Sequence, residues 1–139
     1  MKTLKRKRTV CTAERTPSIA VEAEAKRFEP MPDVLTLFVV RWSWVDAIKP
    51  IPLVIDDDTQ IVTLPKSLVR IRLVPGPHEL SFEWDGKVRR HAIEARAGEV
   101  KFVDLAGSAM PWDLSFYWSD IDPEGAKVRA RRSRLIADV

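Results

Sequence analysis

The sequence reads as an all-β protein: an antiparallel β-sandwich or partly open barrel of about seven or eight strands, with a short N-terminal helix. Three observations carry this reading. From residue 34 onward, short runs of alternating or wholly apolar residues follow one another. Turn signals separate them at intervals of about eight to twelve residues. Several of those turns have hairpin chemistry, which favours antiparallel pairing of consecutive strands. The chain has 139 residues, 45% hydrophobic and 31% charged. That is one domain's worth of chain, long enough to bury a core without disulfides or metal.

Residues 1–16 read as a basic, flexible arm, because they show no apolar periodicity. Residues 17–139 read as a single domain. Its helix is expected over about 17–28, with Thr16 as N-cap and Pro17 at the first helical position. The stretch Ser18 to Arg27 is rich in Ala and Glu, with acids early and bases late, as the helix dipole favours. Glu29-Pro30-Met31-Pro32-Asp33 stops it, since the residue before a proline is driven from the α region. Leu35 to Arg41 is apolar on both faces, as a central strand would be. Trp42 to Pro50 reads as an irregular link. Ile51 to Ile55 and Gln60 to Leu64 form a hairpin about Asp56-Asp57-Asp58-Thr59. Ser67 to Val74 alternates, with Val69, Ile71 and Leu73 on one face. Pro75-Gly76-Pro77 is a turn. In the next strand His78, Leu80, Phe82 and Trp84 share a side, and Asp85-Gly86 turns the chain back. Val88 to Ala95 and Glu99 to Leu105 follow, joined across Ala97-Gly98. Gly107 to Gly125 is aromatic and turn-rich and receives no firm element. Lys127 to Val139 alternates, which predicts a last strand.

Charge is uneven. The total is +3, yet residues 1–10 carry +5 and residues 126–139 carry +4, leaving −6 on 11–125. An acidic body is a poor match to a folded face that grips a phosphate backbone. The arm Lys2, Lys5, Arg6, Lys7, Arg8 remains a candidate contact for nucleic acid, anionic lipid or an acidic protein. No apolar run approaches the ~20 residues of a membrane-spanning helix. The single cysteine, Cys11, forms no internal disulfide and builds no cysteine-rich zinc site.

No catalytic constellation emerges. The two histidines, His78 and His91, sit in strand-like contexts. His78 is expected to bond a turn carbonyl and His91 to face solvent. No metal-spaced His pair, nucleophile elbow, Walker loop or dinucleotide glycine pattern is present. Asp56-Asp57-Asp58 lacks the length, central Gly and terminal Glu of a calcium loop and reads as a plain turn. The expectation is a non-enzymatic protein with no cofactor and no metal. Five tryptophans are the unusual feature. Trp84 falls on an apolar strand face and reads as core. Trp42, Trp44, Trp112 and Trp118, with Tyr117, lie in links and are the candidate contact surface, since such rings offer large area with a polar handle.

Several strings, in order, resemble a family of small bacterial envelope lipoproteins known as the domain of unknown function 2846. They are Ala25-Lys26-Arg27-Phe28-Glu29-Pro30-Met31-Pro32, Leu37-Phe38-Val39-Val40-Arg41 and Pro52-Leu53-Val54-Ile55-Asp56. Val74-Pro75-Gly76-Pro77-His78-Glu79-Leu80, Ala95 to Val103 and Ala130-Arg131-Arg132-Ser133-Arg134-Leu135 complete the set. A looser similarity is to PEGA-type β modules, through the Pro75-Gly76-Pro77-His78 turn. The resemblance implies a β domain tethered in the periplasm or at a membrane, with no assigned enzymatic activity and no catalytic residue. It implies a structural role for the His78 turn. Such lipoproteins carry an apolar stretch of about 7–15 residues before a lipidated cysteine. Only Thr9-Val10 separates Arg8 from Cys11, so secretion is not expected from these residues. Lipidation of Cys11, and any membrane association through it, is an implication of the resemblance alone.

The leading expectation is therefore an envelope-type binding module that meets a protein or glycan through Trp42, Trp44, Trp112, Tyr117 and Trp118. The alternatives are a cytoplasmic interaction protein using its basic arm on nucleic acid or an acidic partner, and an immunity- or inhibitor-like protein using the acidic body.

Overall fold

The computed structural model describes residues 8–10, 16–42, 50–110 and 113–139. Two five-stranded sheets pack face to face. The elements are β1 (Arg8–Val10), α1 (Ile19–Ala25), β2 (Leu35–Arg41), β3 (Ile51–Ile55), β4 (Thr59–Thr63) and β5 (Ser67–Leu73). They continue with β6 (Gly76–Trp84), β7 (Lys87–Ala95), β8 (Val100–Met110), β9 (Asp113–Asp120), α2 (Pro123–Arg131) and β10 (Arg134–Asp138). One sheet has the order β1-β4-β3-β6-β7 and the other β10-β5-β2-β8-β9. The all-β sandwich with a short N-terminal helix is thus the observed fold.

Among the described residues, two tight turns stay within a sheet. Ile55 accepts from the Asp58 N–H at 3.0 Å across Asp56 and Asp57, both left-handed (φ 51° and 55°). Aspartate tolerates that conformation better than most residues. Asp85 and Gly86 repeat the device at φ 52° and 72°, the mirror-image turn that suits a two-residue hairpin. β8 and β9 are also neighbours in one sheet and run antiparallel from Val103↔Asp120 to Met110↔Asp113. The chain crosses between sheets from β1 to β2, β2 to β3, β4 to β5, β5 to β6 and β7 to β8, whereas β9 leads through α2 to β10 of the same sheet. Ala97-Gly98, read as a link between neighbouring strands, carries the chain from β7 in one sheet to β8 in the other. There Gly98 donates to the Val34 carbonyl, and Thr36 to that of Glu99.

The pairing is mixed rather than antiparallel throughout. β1 with β4, β2 with β8, and β10 with β5 all run parallel. None of these pairs is consecutive in the chain, and hairpin chemistry informs only consecutive strands. β1 also places residues 8–10 in a sheet, so the expected flexible arm over 1–16 contains an ordered strand.

The core follows the alternation. Leu35, Leu37, Val39, Val69, Ile71 and Leu73 point toward Leu53, Ile55, Ile61, Leu80 and Ile93 of the facing sheet. Arg41 spans the same interface, donating from Nη1 to the Thr63 carbonyl at 2.8 Å. The other face of the β2 sheet is covered by the helices. Phe38, Val40, Leu68 and Phe102 pack there with Ala25, Phe28, Ala126 and Ala130. Phe28 meets Phe38 and Phe102 edge-on at 5.1 and 5.5 Å. Both faces of β2 are therefore buried along its whole length, as its unbroken apolar run requires.

Two helix expectations are corrected. The N-cap of α1 is Ser18, whose hydroxyl accepts from the Val21 N–H at 3.2 Å. Thr16 and Pro17 lie before the helix. At the C-terminus, the strand expected over 127–139 is a helix followed by a strand. Asp122 caps α2 by accepting from the Gly125 N–H, and Pro123 starts it. Ala126 and Ala130, four apart, form its buried stripe. Only 134–138 is extended.

Candidate binding site

Tyr117 and Trp42 line one cavity of about 370 Å³, together with Asp104, Ala106, Gly107, Ser119 and Arg129. The strand register builds it. On β8 and β9, Asp104 pairs with Ser119 and Ala106 with Tyr117. Side chains two apart share a face, so these four project from the helix-covered side of the sheet. Trp42 follows directly on β2, and the small Ala106 leaves the space a larger side chain would fill. The cavity lies within the range of small-ligand sites.

The walls are aromatic and the floor is charged. Tyr117 is 45% exposed. Trp42 is half-buried against the helix-side core, with the Lys66 ammonium 5.7 Å from its ring centre. Asp104 is 5% exposed. Its Oδ2 accepts from Arg129 Nη1 at 2.7 Å, which joins α2 to β8. Burial pushes the Asp104 carboxyl up, and the neighbouring guanidinium offsets this only in part. Asp104 Oδ1 is buried and receives no hydrogen bond from a described residue.

The other expected contact residues do not gather here. Trp118 lies on the opposite face of β9 from Tyr117. Its Nε1 donates to the Arg89 carbonyl at 3.2 Å, and its ring meets Phe82 edge-on at 5.2 Å. It therefore ties the two sheets together. Trp84 packs edge-on to Phe116 at 4.8 Å, as core. Trp44, Trp112, Lys2, Lys5, Arg6, Lys7 and Cys11 lie outside the described residues, and Arg8 contributes its backbone to β1. Asp104 and Arg129 were missed by sequence reasoning. A lone Asp within an apolar strand, Val100 to Leu105, was the available signal.

The two histidines divide. His78 Nε2 reaches the Val74 carbonyl at 2.6 Å, the turn-carbonyl contact expected of it. His91 does not face solvent. It is half-buried with its ring 5.8 Å from that of Trp118, because it shares the inward side of β7 with Ile93. His91 also borders a larger cavity of about 430 Å³, beside Ile93, Phe102, Ile121 and Pro123. The polar wall of that cavity is internally engaged, with Lys101 Nζ on the Glu94 carbonyl at 3.1 Å. The Asp104 cavity is therefore the better candidate, despite its smaller size. Among the described residues, no group of three or more His, Cys, Asp or Glu is placed to hold a metal ion. Among them, too, no helix is long and apolar enough to cross a membrane.

No protein-family model matches the chain, and neither does any curated protein.

Proposed function

We propose that the protein is a non-enzymatic binding module of the cell-envelope type, which engages a glycan through the cleft between Trp42 and Tyr117. One observation carries the reading: two aromatic side chains border a cavity of about 370 Å³ whose floor is the Asp104–Arg129 pair. Aromatic walls supply contact area, and a few fixed polar groups supply orientation. A cavity of that size suits a sugar unit better than a flat protein surface. The envelope setting rests on the resemblance to the domain of unknown function 2846.

Binding of the full chain to an immobilised oligosaccharide array tests the function. Tyr117→Ala is the informative variant, because Tyr117 is 45% exposed and its loss spares the core. Retention of a glycan is expected, weakened about fivefold or more in the variant, the worth of one aromatic contact. Retention that Tyr117→Ala leaves unchanged removes the cleft from the function. Absence of any bound glycan removes the function itself.

A further inference from the structure

The floor of the cleft constrains the ligand more tightly than its walls. Asp104 is 5% exposed, and among the described residues only one of its oxygens is met. Oδ1 is closed to solvent and accepts from no described residue. Buried carboxylate oxygens normally find donors, so this one marks a place for a donor brought from outside. Beside it stands Arg129, whose side chain is 41% exposed. One of its nitrogens is on Asp104 Oδ2, and a guanidinium has further N–H groups to give. The floor thus holds a covered acceptor beside a partly exposed donor group.

Charge narrows the choice. The carboxylate is already neutralised by Arg129 at 2.7 Å. A cationic ligand would gain the Asp104 charge but meet the guanidinium, with the Lys66 ammonium close by over Trp42. An anionic ligand would meet the carboxylate at the floor, where burial makes repulsion strong. A neutral ligand with adjacent hydroxyls meets neither penalty. One hydroxyl donates to Oδ1 and its neighbour accepts from Arg129. The apolar C–H face of a sugar ring can then lie against an aromatic wall. Ala106 between Trp42 and Tyr117 leaves room for that ring. Since Oδ1 is closed in the free protein, the side chains that cover it must shift as the hydroxyl enters.

We infer that the cleft takes a neutral sugar ring with adjacent hydroxyls, held at Asp104 Oδ1 and Arg129 between Trp42 and Tyr117. This rests on the binding function proposed above and specifies its ligand class. The test is an amide-resolved NMR titration of the full chain with methyl glucopyranoside, methyl mannopyranoside and inositol. Glucuronate and tetramethylammonium serve as the charged comparisons. Amide shifts are expected at Ala106, Tyr117 and Ser119 with at least one neutral probe. Asp104→Asn keeps the shape, and is expected to weaken that response about tenfold or more, as loss of a charge-assisted hydrogen bond does. Ala106→Leu fills the cleft without touching the ion pair, and is expected to abolish it. The spectra themselves report whether each variant is folded. Shifts at these amides with glucuronate or tetramethylammonium in place of the neutral probes overturn the inference, as does no shift with any neutral probe. Glycan retention on the array that survives both variants places the ligand elsewhere: the binding function then stands and this site falls. Loss of array retention in the parent protein overturns both.

Discussion

His78 is held at both ring nitrogens. Nδ1 faces Asp56 Oδ2 at 2.5 Å and Nε2 faces the Val74 carbonyl at 2.6 Å. A carboxylate and a carbonyl only accept, so both nitrogens donate, and the ring that satisfies both is the imidazolium. Burial pulls the His78 pKa down and is the largest single influence. The bonds to Asp56 and Val74 and the charges of Asp56 and Glu94 together outweigh it, and the pKa lies above its ordinary value. The folded state therefore binds this proton more tightly than the unfolded chain. The stabilisation is fully present below about pH 6.5 and is lost as pH rises through the folded value. His78→Gln is expected to lower stability at pH 6 by about 1 kcal/mol, a few degrees in melting temperature. It is also expected to remove the decline in stability above pH 6.5. Melting curves across pH 5–9 that run parallel for the two proteins would refute the role of the imidazolium. The Val74 contact was legible in the sequence because it closes a local turn. Asp56 was not, since it lies 22 residues away on another hairpin and reaches His78 only through the pairing of β3 with β6.

The helices are fixed to the β2 sheet by side chains that no local pattern announces. Arg70 on β5 is 5% exposed at its side chain, with Asp138 of β10 on two of its nitrogens at 2.9 and 2.8 Å. It also meets Glu24 of α1 at 2.7 Å. Glu22 of the same helix accepts from the Leu135 N–H at 2.6 Å. One strand of the sheet thus anchors both α1 and the C-terminal strand. Burial raises the Asp138 carboxyl and is the largest influence on it. Hydrogen bonds and charge from Arg70 and Arg72 outweigh that, so its pKa lies below the ordinary carboxylate value. The corresponding stability is present above about pH 3.9 and is lost as pH falls through the lowered value. Asp138→Asn is expected to cost about 2–3 kcal/mol at pH 7, somewhat under the usual penalty for breaking a buried pair because Arg72 is partly exposed. Its unfolding midpoint should also vary less between pH 5 and pH 2. An unchanged acid limb would show that another carboxylate governs acid unfolding. The same region shows why the α2 reading failed. Val128, Ala130, Arg132 and Arg134 alternate with Arg129, Arg131 and Ser133, and that period-2 pattern masked Ala126 and Ala130 at helical spacing. Asp122-Pro123, a cap followed by a helix-starting proline, carried the correct signal. Missing α2 also hid the site, because Arg129 reaches Asp104 only from a helix lying across β8.

Burial and pairing are distributed unequally between the two sheets, and this sets where the molecule opens first. β2 has a partner on each side, β5 and β8, and both faces covered. That centrality was legible, because only a strand enclosed on both faces carries a run such as Leu35 to Val40, six consecutive apolar or small residues, without penalty. The partners themselves were not, since β8 lies more than fifty residues away in the chain. β7 is the opposite case. It is the edge of its sheet, and among the described residues it pairs only with β6, over nine residues. Lys87, Arg89, Arg90 and Glu94 crowd it with charge, a common defence of an open edge against pairing with another chain. Amides of β2 exchange only through large-scale unfolding, whereas the β7 amides that point away from β6 are open to water in the native state. Hydrogen exchange followed by NMR is expected to separate the two sets by about a thousandfold or more. The β7 amides bonded to β6 should fall between them, which gives the strand an alternating profile. The profile should also be independent of protein concentration. Outward β7 amides as slow as those of β2, or slowing as concentration rises, would mean that a second copy completes the sheet. The charges on β7 would then be specifying a partner's register rather than keeping partners away.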